Sequence, residues 1–103
     1  MSQVVCRFDE LGRAEARRFD LEGHRLCVVR IDDSVYVIGD MCSHADVSLS
    51  EGELNADDLE IECWKHGSSF NLVTGEPQTL PAIKPVPVYD AKVVDGNVMV
   101  QLS

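Results

Sequence analysis

The chain has 103 residues, 45% of them hydrophobic, which makes one domain with a modest core, near the size at which small folds lean on a metal or another staple. Its net charge of −9 argues against nucleic acid or an anionic membrane as partner, because both demand clustered Lys and Arg, and no stretch approaches the roughly 20 apolar residues of a membrane span. The opening "MSQVVCRFDE" carries charge by position 7 and lacks a basic start followed by an apolar run, so a cytoplasmic protein is expected, and its four cysteines should be ligands, buried thiols or catalytic groups rather than disulfides.

Short strands joined by turns run through the chain, with no helical period longer than about two turns. "QVVCRF" alternates Val4, Cys6 and Phe8 on one face. "EARRFDLE" is taken as strand, although a short helical turn over Arg13 to Arg18 fits its pattern too. Glu22-Gly23-His24 makes a turn in which His24 is expected to be exposed, and "RLCVVRI" and "VYVIG" form a hairpin about Asp32-Asp33-Ser34. Near the end, "VPVYDAKVV" and "VMVQL" flank Asp95-Gly96-Asn97, a strong hairpin signal because Gly and Asn accept positive φ. Cys6 and Cys27 lie in apolar strand patterns and are expected to be small buried hydrophobes.

The middle, from Gly39 to about Pro85, differs. "GDMCSHADVSLSEGEL" and "TGEPQTLPAIKP" are loop-like, with brief strands at Glu60 to Cys63 and Phe70 to Val73, and there is too little apolar alternation for a core of its own. Between residues 31 and 83 stand eleven acids against one base, Lys65, so this segment alone is formally −10, while the remainder is close to neutral. There is no internal repeat and no low-complexity tract.

This coreless stretch holds two mixed pairs: Cys42 and His44 as C-x-H, then, after eighteen intervening residues, Cys63 and His66 as C-x-x-H followed by Gly67. Residues i and i+2 share a face of an extended backbone, so each loop can offer one thiolate and one imidazole to the same side. Two facing loops would supply two Cys and two His, a set that suits a structural zinc ion or an iron-sulfur centre. Zinc fingers usually pair ligands of one type on each loop, whereas here each loop mixes them. A nucleophilic Cys63–His66 pair lacks any identifiable oxyanion donor or third group.

The pattern C-x-H, a gap, then C-x-x-H-G resembles the Rieske iron-sulfur domain, and "VYVIGDMCSHADVSLSEGEL", "IECWKHGSSFNLVTGEP" and "PVPVYDAKVVDGNVMV" are similar to stretches of the small soluble Rieske-type ferredoxins. The resemblance implies an all-β fold: an antiparallel β-sandwich or barrel base, about 1–39 and 86–103, with a loop-rich cluster-binding subdomain inserted at about 40–85. It implies one 2Fe-2S cluster per chain, one iron held by Cys42 and Cys63 and the more solvent-facing iron by His44 and His66. The two cysteines that form a loop-tying disulfide in high-potential relatives correspond to Val47 and Lys65 here, so that bond cannot form. Ser68 matches a serine that raises the potential in the family, but Phe70 replaces a tyrosine and Trp64 a common proline. Loss of a hydroxyl donor to sulfur lowers the potential, so a value in the lower part of the roughly −150 to +300 mV Rieske range is expected.

Trp64 is expected either to pack over its loop or to fill the base. Pro81, in Leu80-Pro81-Ala82, falls where the family has a proline-containing loop over the cluster, though an ordinary turn would read the same way. The acidic run "EGELNADDLEIE" between the ligand pairs suits docking of a partner by complementary charge, or is simply a solvated face, with Lys65 the lone cation beside His66. The resemblance implies a monomeric one-electron carrier and not an enzyme, taking electrons from an NAD(P)H-dependent flavin reductase and passing them to the terminal non-haem iron oxygenase of a ring-hydroxylating dioxygenase system by transient electrostatic docking. The alternatives are the small Rieske subunit of an oxidoreductase such as NAD(P)H nitrite reductase, and an iron-sulfur assembly accessory or redox sensor.

Overall fold

Four consecutive apolar residues, Leu26-Cys27-Val28-Val29, set the architecture, because a strand that is apolar on both faces has to be covered on both. The structure is a computed structural model that describes residues 2–42, 47–65, 67–78 and 84–102. The fold is all-β, with antiparallel pairing throughout the described strands and only two short 3₁₀ turns. The central sheet has the order β2-β3-β4-β8, from Ala14–Leu21 (β2), His24–Ile31 (β3), Ser34–Gly39 (β4) and Val88–Tyr89 (β8). A second sheet, β1-β10-β9, joins Ser2–Arg7 (β1), Ala91–Val94 (β9) and Asn97–Gln101 (β10). The third is the meander β5-β6-β7, from Glu53–Asn55 (β5), Glu60–Glu62 (β6) and Ser69–Asn71 (β7).

The central sheet separates two cores. Leu26, Val28 and Val37 pack with Cys6, Leu11, Val98 and Val100 against the β1-β10-β9 sheet. Cys27, Val29 and Ile38 face the other way, towards Leu49, Ile61, Phe70, Leu72, Val86 and the two cysteines Cys42 and Cys63. The middle of the chain therefore shares a core with β3 and β4, contrary to the expectation that it has none. Its covering side chains come from residues 27 to 38, so no local alternation announces them. Each large apolar side chain buried this way contributes about 1.5–3 kcal/mol.

The hairpin turns form as their residues dictate. Both loop residues are left-handed at Glu22-Gly23 (φ 49 and 82) and Asp95-Gly96 (φ 52 and 78), the geometry that matches strand twist in two-residue hairpins. "EARRFDLE" is strand, inside β2. The structure departs from four expectations. The alternation of Val4, Cys6 and Phe8 breaks because β1 bulges between Val4 and Cys6, leaving Val4 half exposed, and Phe8 sits in a 3₁₀ turn under the Arg30 guanidinium. "VPVYDAKVV" is not one strand: it is cut at Asp90, so that β8 pairs with β4 and β9 with β10. His24 is half-buried, edge-on to Tyr89, with Nδ1 3.3 Å from the phenol oxygen. β5, inside a stretch expected to be loop, completes the third sheet.

Cys6 and Cys27 are buried thiols outside any disulfide, as expected. Burial pushes the Cys27 thiol well above its ordinary value, with the nearby Asp40 charge adding to the shift. Folding thus favours the protonated thiol, and stability falls as pH rises past the unfolded-state value of about 8.5, by up to about 1.4 kcal/mol per pH unit. Urea unfolding between about pH 8 and pH 10 should show this alkaline slope, and Cys27→Ala should reduce it, the buried Cys6 thiol, also raised, supplying the remainder; an unchanged slope would mean that Cys27 is not the titrating group.

Candidate metal centre

Two hairpin-like loops of the same construction rise from the core that the central sheet shares with the β5-β6-β7 meander. The first leaves β4 at Asp40 and is closed by an antiparallel bridge between Met41 and Ser48, inside which the Cys42 N–H donates to the Val47 carbonyl at 3.1 Å. The second joins β6 to β7: Glu62 pairs with Ser69, and inside that pair the Cys63 N–H donates to the Ser68 carbonyl at 2.7 Å. Each cysteine is the first residue of its loop and reaches five residues ahead. The Gly67 N–H also donates to the Cys63 carbonyl at 2.9 Å, with Gly67 at φ +78, a conformation costly for any residue with a Cβ.

Cys42 and Cys63 are 3% and 0% exposed, belong to the same apolar cluster, and are not in disulfides. Two buried thiols at matching positions on paired loops fit the thiolate half of a 2Fe-2S site, whose ligands are deprotonated sulfur sheltered from water. The expected imidazole half, His44 and His66, belongs to the two loops in sequence but lies outside the described residues, as does Pro81. Among the described residues alone no group of three metal-ligating side chains forms.

The other expected residues separate by exposure. Ser68 and Phe70 are fully buried beneath the second loop, and Val47 is half-buried against the core. Lys65 is exposed. Trp64 is 57% exposed, so it does not fill the base; the turn that sends Cys63 inward sends Trp64 outward. Met41, immediately before Cys42, is 44% exposed in the same way. Along the meander, Glu53, Asp57 and Glu62 line an open cleft of about 440 Å³ together with Asn55 and Ser69.

Several site-building residues escaped the sequence reading. Asp40, counted there among the acids of the −10 segment, is 0% exposed and ion-paired to Arg25 at 3.6 Å, so it is no part of the acidic surface. Its position at the end of an apolar strand, two residues before Cys42, was the one available signal. Gly52 lets the chain after the first loop approach β6 closely: a Cβ there would stand 1.8 Å from the Glu62 carbonyl oxygen, one residue before Cys63.

The Rieske [2Fe-2S] domain model matches residues 1–90. The chain belongs to this family. A curated relative, the 3-phenylpropionate/cinnamic acid dioxygenase ferredoxin subunit of Photorhabdus laumondii, is 36% identical over 104 residues, covering 100% of this chain and 97% of the relative. Among solved structures, the ferredoxin of carbazole 1,9a-dioxygenase from Nocardioides aromaticivorans superposes with a TM-score of 0.94 at 39% identity, covering 97% of this chain and 96% of that one. A second, described as a complex of reduced oxygenase and oxidized ferredoxin in carbazole 1,9a-dioxygenase, matches with a TM-score of 0.87 at 37% identity over 96% of this chain and 91% of that one. The cofactor of a Rieske domain is a 2Fe-2S cluster, and the two buried thiols of this one are compatible with it.

In this Rieske domain, Gly52→Ala should force β5 away from β6 and lower stability by at least about 2 kcal/mol, or about 10 °C in melting temperature. Thermal melts followed together in the far ultraviolet and in the visible would test it; an unshifted transition would mean that the Gly52–Glu62 contact relaxes freely.

Proposed function

We propose that the chain is a one-electron carrier of a ring-hydroxylating dioxygenase system, receiving electrons from an NAD(P)H-dependent flavin reductase and delivering them to the terminal non-haem iron oxygenase. The observation that carries the reading is the pair of buried cysteines heading two loops of identical closure, in a chain similar over its whole length to ferredoxin subunits of dioxygenases. On this reading Cys42, Cys63, His44 and His66 hold the cluster, residues from about 40 to 85 form the part that carries it, and the base from about 1–39 and 86–103 supports it. The bound cluster supplies a one-electron redox couple.

The chain's own residues account for the rest. The two thiolates are kept dry by Leu49, Ile61, Phe70 and Leu72, which excludes water and oxidant from the sulfur side. Ser68 is buried next to the second loop, where its hydroxyl is suited to tune sulfur basicity, while Phe70 offers none. Outside, Trp64 and Met41, each next in sequence to one of the proposed cysteine ligands, provide exposed apolar surface, and Glu53, Asp57 and Glu62 on the neighbouring meander supply negative charge. That arrangement, apolar anchors together with negative charge, suits a short-lived complex with a basic partner surface. The protein works as a monomer in the cytoplasm, a compartment consistent with four cysteines outside disulfides. No helix of the described residues is long and apolar enough to cross a membrane.

The purified protein should contain two iron and two acid-labile sulfide per chain, and Cys42→Ser and His66→Ala should each abolish the Rieske electron paramagnetic resonance signal. A colourless protein holding zinc, or an unaltered signal in either variant, would overturn the ligand set. Reduction of the oxygenase component should slow by about tenfold or more between about 0.05 and about 0.5 M salt, as the carboxylates are screened. Trp64→Ala should slow it by a factor that salt does not change; equal salt curves at unchanged rate would remove Trp64 from the contact.

A further inference from the structure

Asp40 is a fully buried carboxylate two residues before Cys42, and its contacts reach both sides of the first loop. Its N–H donates to the Arg25 carbonyl at 3.1 Å, tying the start of the loop to β3. Its carbonyl accepts the Leu49 N–H at 2.6 Å and its side-chain Oδ1 accepts the Ser50 N–H at 2.9 Å, so it also holds the returning segment. Arg25 completes the ring: Nη2 donates to Ser48 Oγ at 2.9 Å and stands 3.6 Å from Asp40 Oδ2. Residues 40, 48, 49 and 50 are thereby drawn together below the Met41–Ser48 bridge.

A carboxylate in this place needs a reason, because burying a charge is costly unless it is compensated, and well-packed apolar residues often serve stability equally well. Here the compensation is incomplete. Neither Asp40 Oδ2 nor Arg25 Nε makes a hydrogen bond, leaving a charge contact on one oxygen and a hydrogen bond to backbone on the other. A group retained at such cost is best explained by the geometry it imposes, the registry role that buried polar pairs serve elsewhere. No disulfide joins the loops, so the base of the first one depends on these contacts.

We propose that the Asp40 side chain, backed by Arg25 and Ser48, is a positioning residue that locks the first ligand loop shut at its base and so fixes Cys42. The locked loop stands on these contacts alone, while its purpose rests on Cys42 being a cluster ligand as proposed above. Asp40 acts through the backbone of residues 41, 42 and 47 to 50.

Hydrogen exchange by mass spectrometry on the cluster-loaded protein separates a lock from a local cap. Asp40→Ala directly removes the acceptor of Ser50 and the charge partner of Arg25, and no backbone acceptor. A lock predicts faster exchange, by about tenfold or more, at Cys42 and Leu49 as well, although their carbonyl acceptors are unaltered, with peptides from β9 and β10 unchanged. Asp40→Asn keeps an Oδ1 acceptor and should recover most of the lost protection. The electron paramagnetic resonance signal should broaden in Asp40→Ala and sharpen again in Asp40→Asn. Should Asp40→Ala fail to fold, Ser48→Ala removes the far anchor of Arg25 and should still speed exchange at Leu49 at least threefold. Exchange confined to Ser50 with an unaltered signal, or no recovery in Asp40→Asn, or no effect of Ser48→Ala, would each overturn the proposal. An unaltered Rieske signal in Cys42→Ser would instead sink the ligand reading and leave the exchange result intact.

Discussion

Strand β3 is buried on both faces, and the rest of the molecule depends on that constraint. Leu26 and Val28 belong to the core shared with β1 and β10; Cys27 and Val29 belong to the one beneath the ligand loops. Because side chains alternate along a strand, a slip of one residue would exchange the two sets and disturb both cores at once. The half that carries Cys42 and Cys63 is consequently not an appendage hung from a finished barrel. It completes the hydrophobic cover of the central sheet, and folding of one half presupposes the other.

The same strand reaches the site by a polar route. Arg25, at the end of β3 next to its hairpin turn, supplies both the carbonyl that anchors Asp40 and the guanidinium that spans Asp40 and Ser48. Apolar packing holds Cys42 and Cys63 in one dry cluster, while hydrogen bonds determine how each loop closes above it. Burial alone is non-directional and would tolerate many loop conformations. The bonds from Cys42 to Val47 and from Cys63 to Ser68 select one closure, repeated in both loops. Tight backbone approach of Gly52 to Glu62 fixes the start of the β5–β6 pairing beside Cys63.

Charge and apolar surface divide the outside. Glu51, Glu53, Asp57, Asp58 and Glu62 are exposed along the meander, and Trp64 and Met41 project from the two cysteine loops. A transient carrier needs encounter to be fast and release to be fast as well, which favours long-range attraction around a small apolar contact over a large apolar interface. The exposed tryptophan follows from the turn geometry itself: with Cys63 directed inward, the following side chain faces outward.

The sequence by itself determined the class of the fold, the hairpin turns and the chemistry of the site. Glu22-Gly23 and Asp95-Gly96 are legible because positive φ is a property of a few residue types, and the mixed Cys-His pairs because their spacing is local. The tertiary structure alone decided that the acidic middle of the chain owns half of a core, that Asp40 is a buried tie rather than a surface charge, and that Trp64 points to solvent. Those features depend on partners far away in the chain, Ile38 against Phe70 or Arg25 against Asp40 and Ser48, and no short window of sequence contains both members. The cut at Asp90 belongs with them. "VPVYDAKVV" has the pattern of one strand, yet its halves pair with different sheets, β8 with β4 and β9 with β10, while Tyr89 and Ala91 pack against the same core.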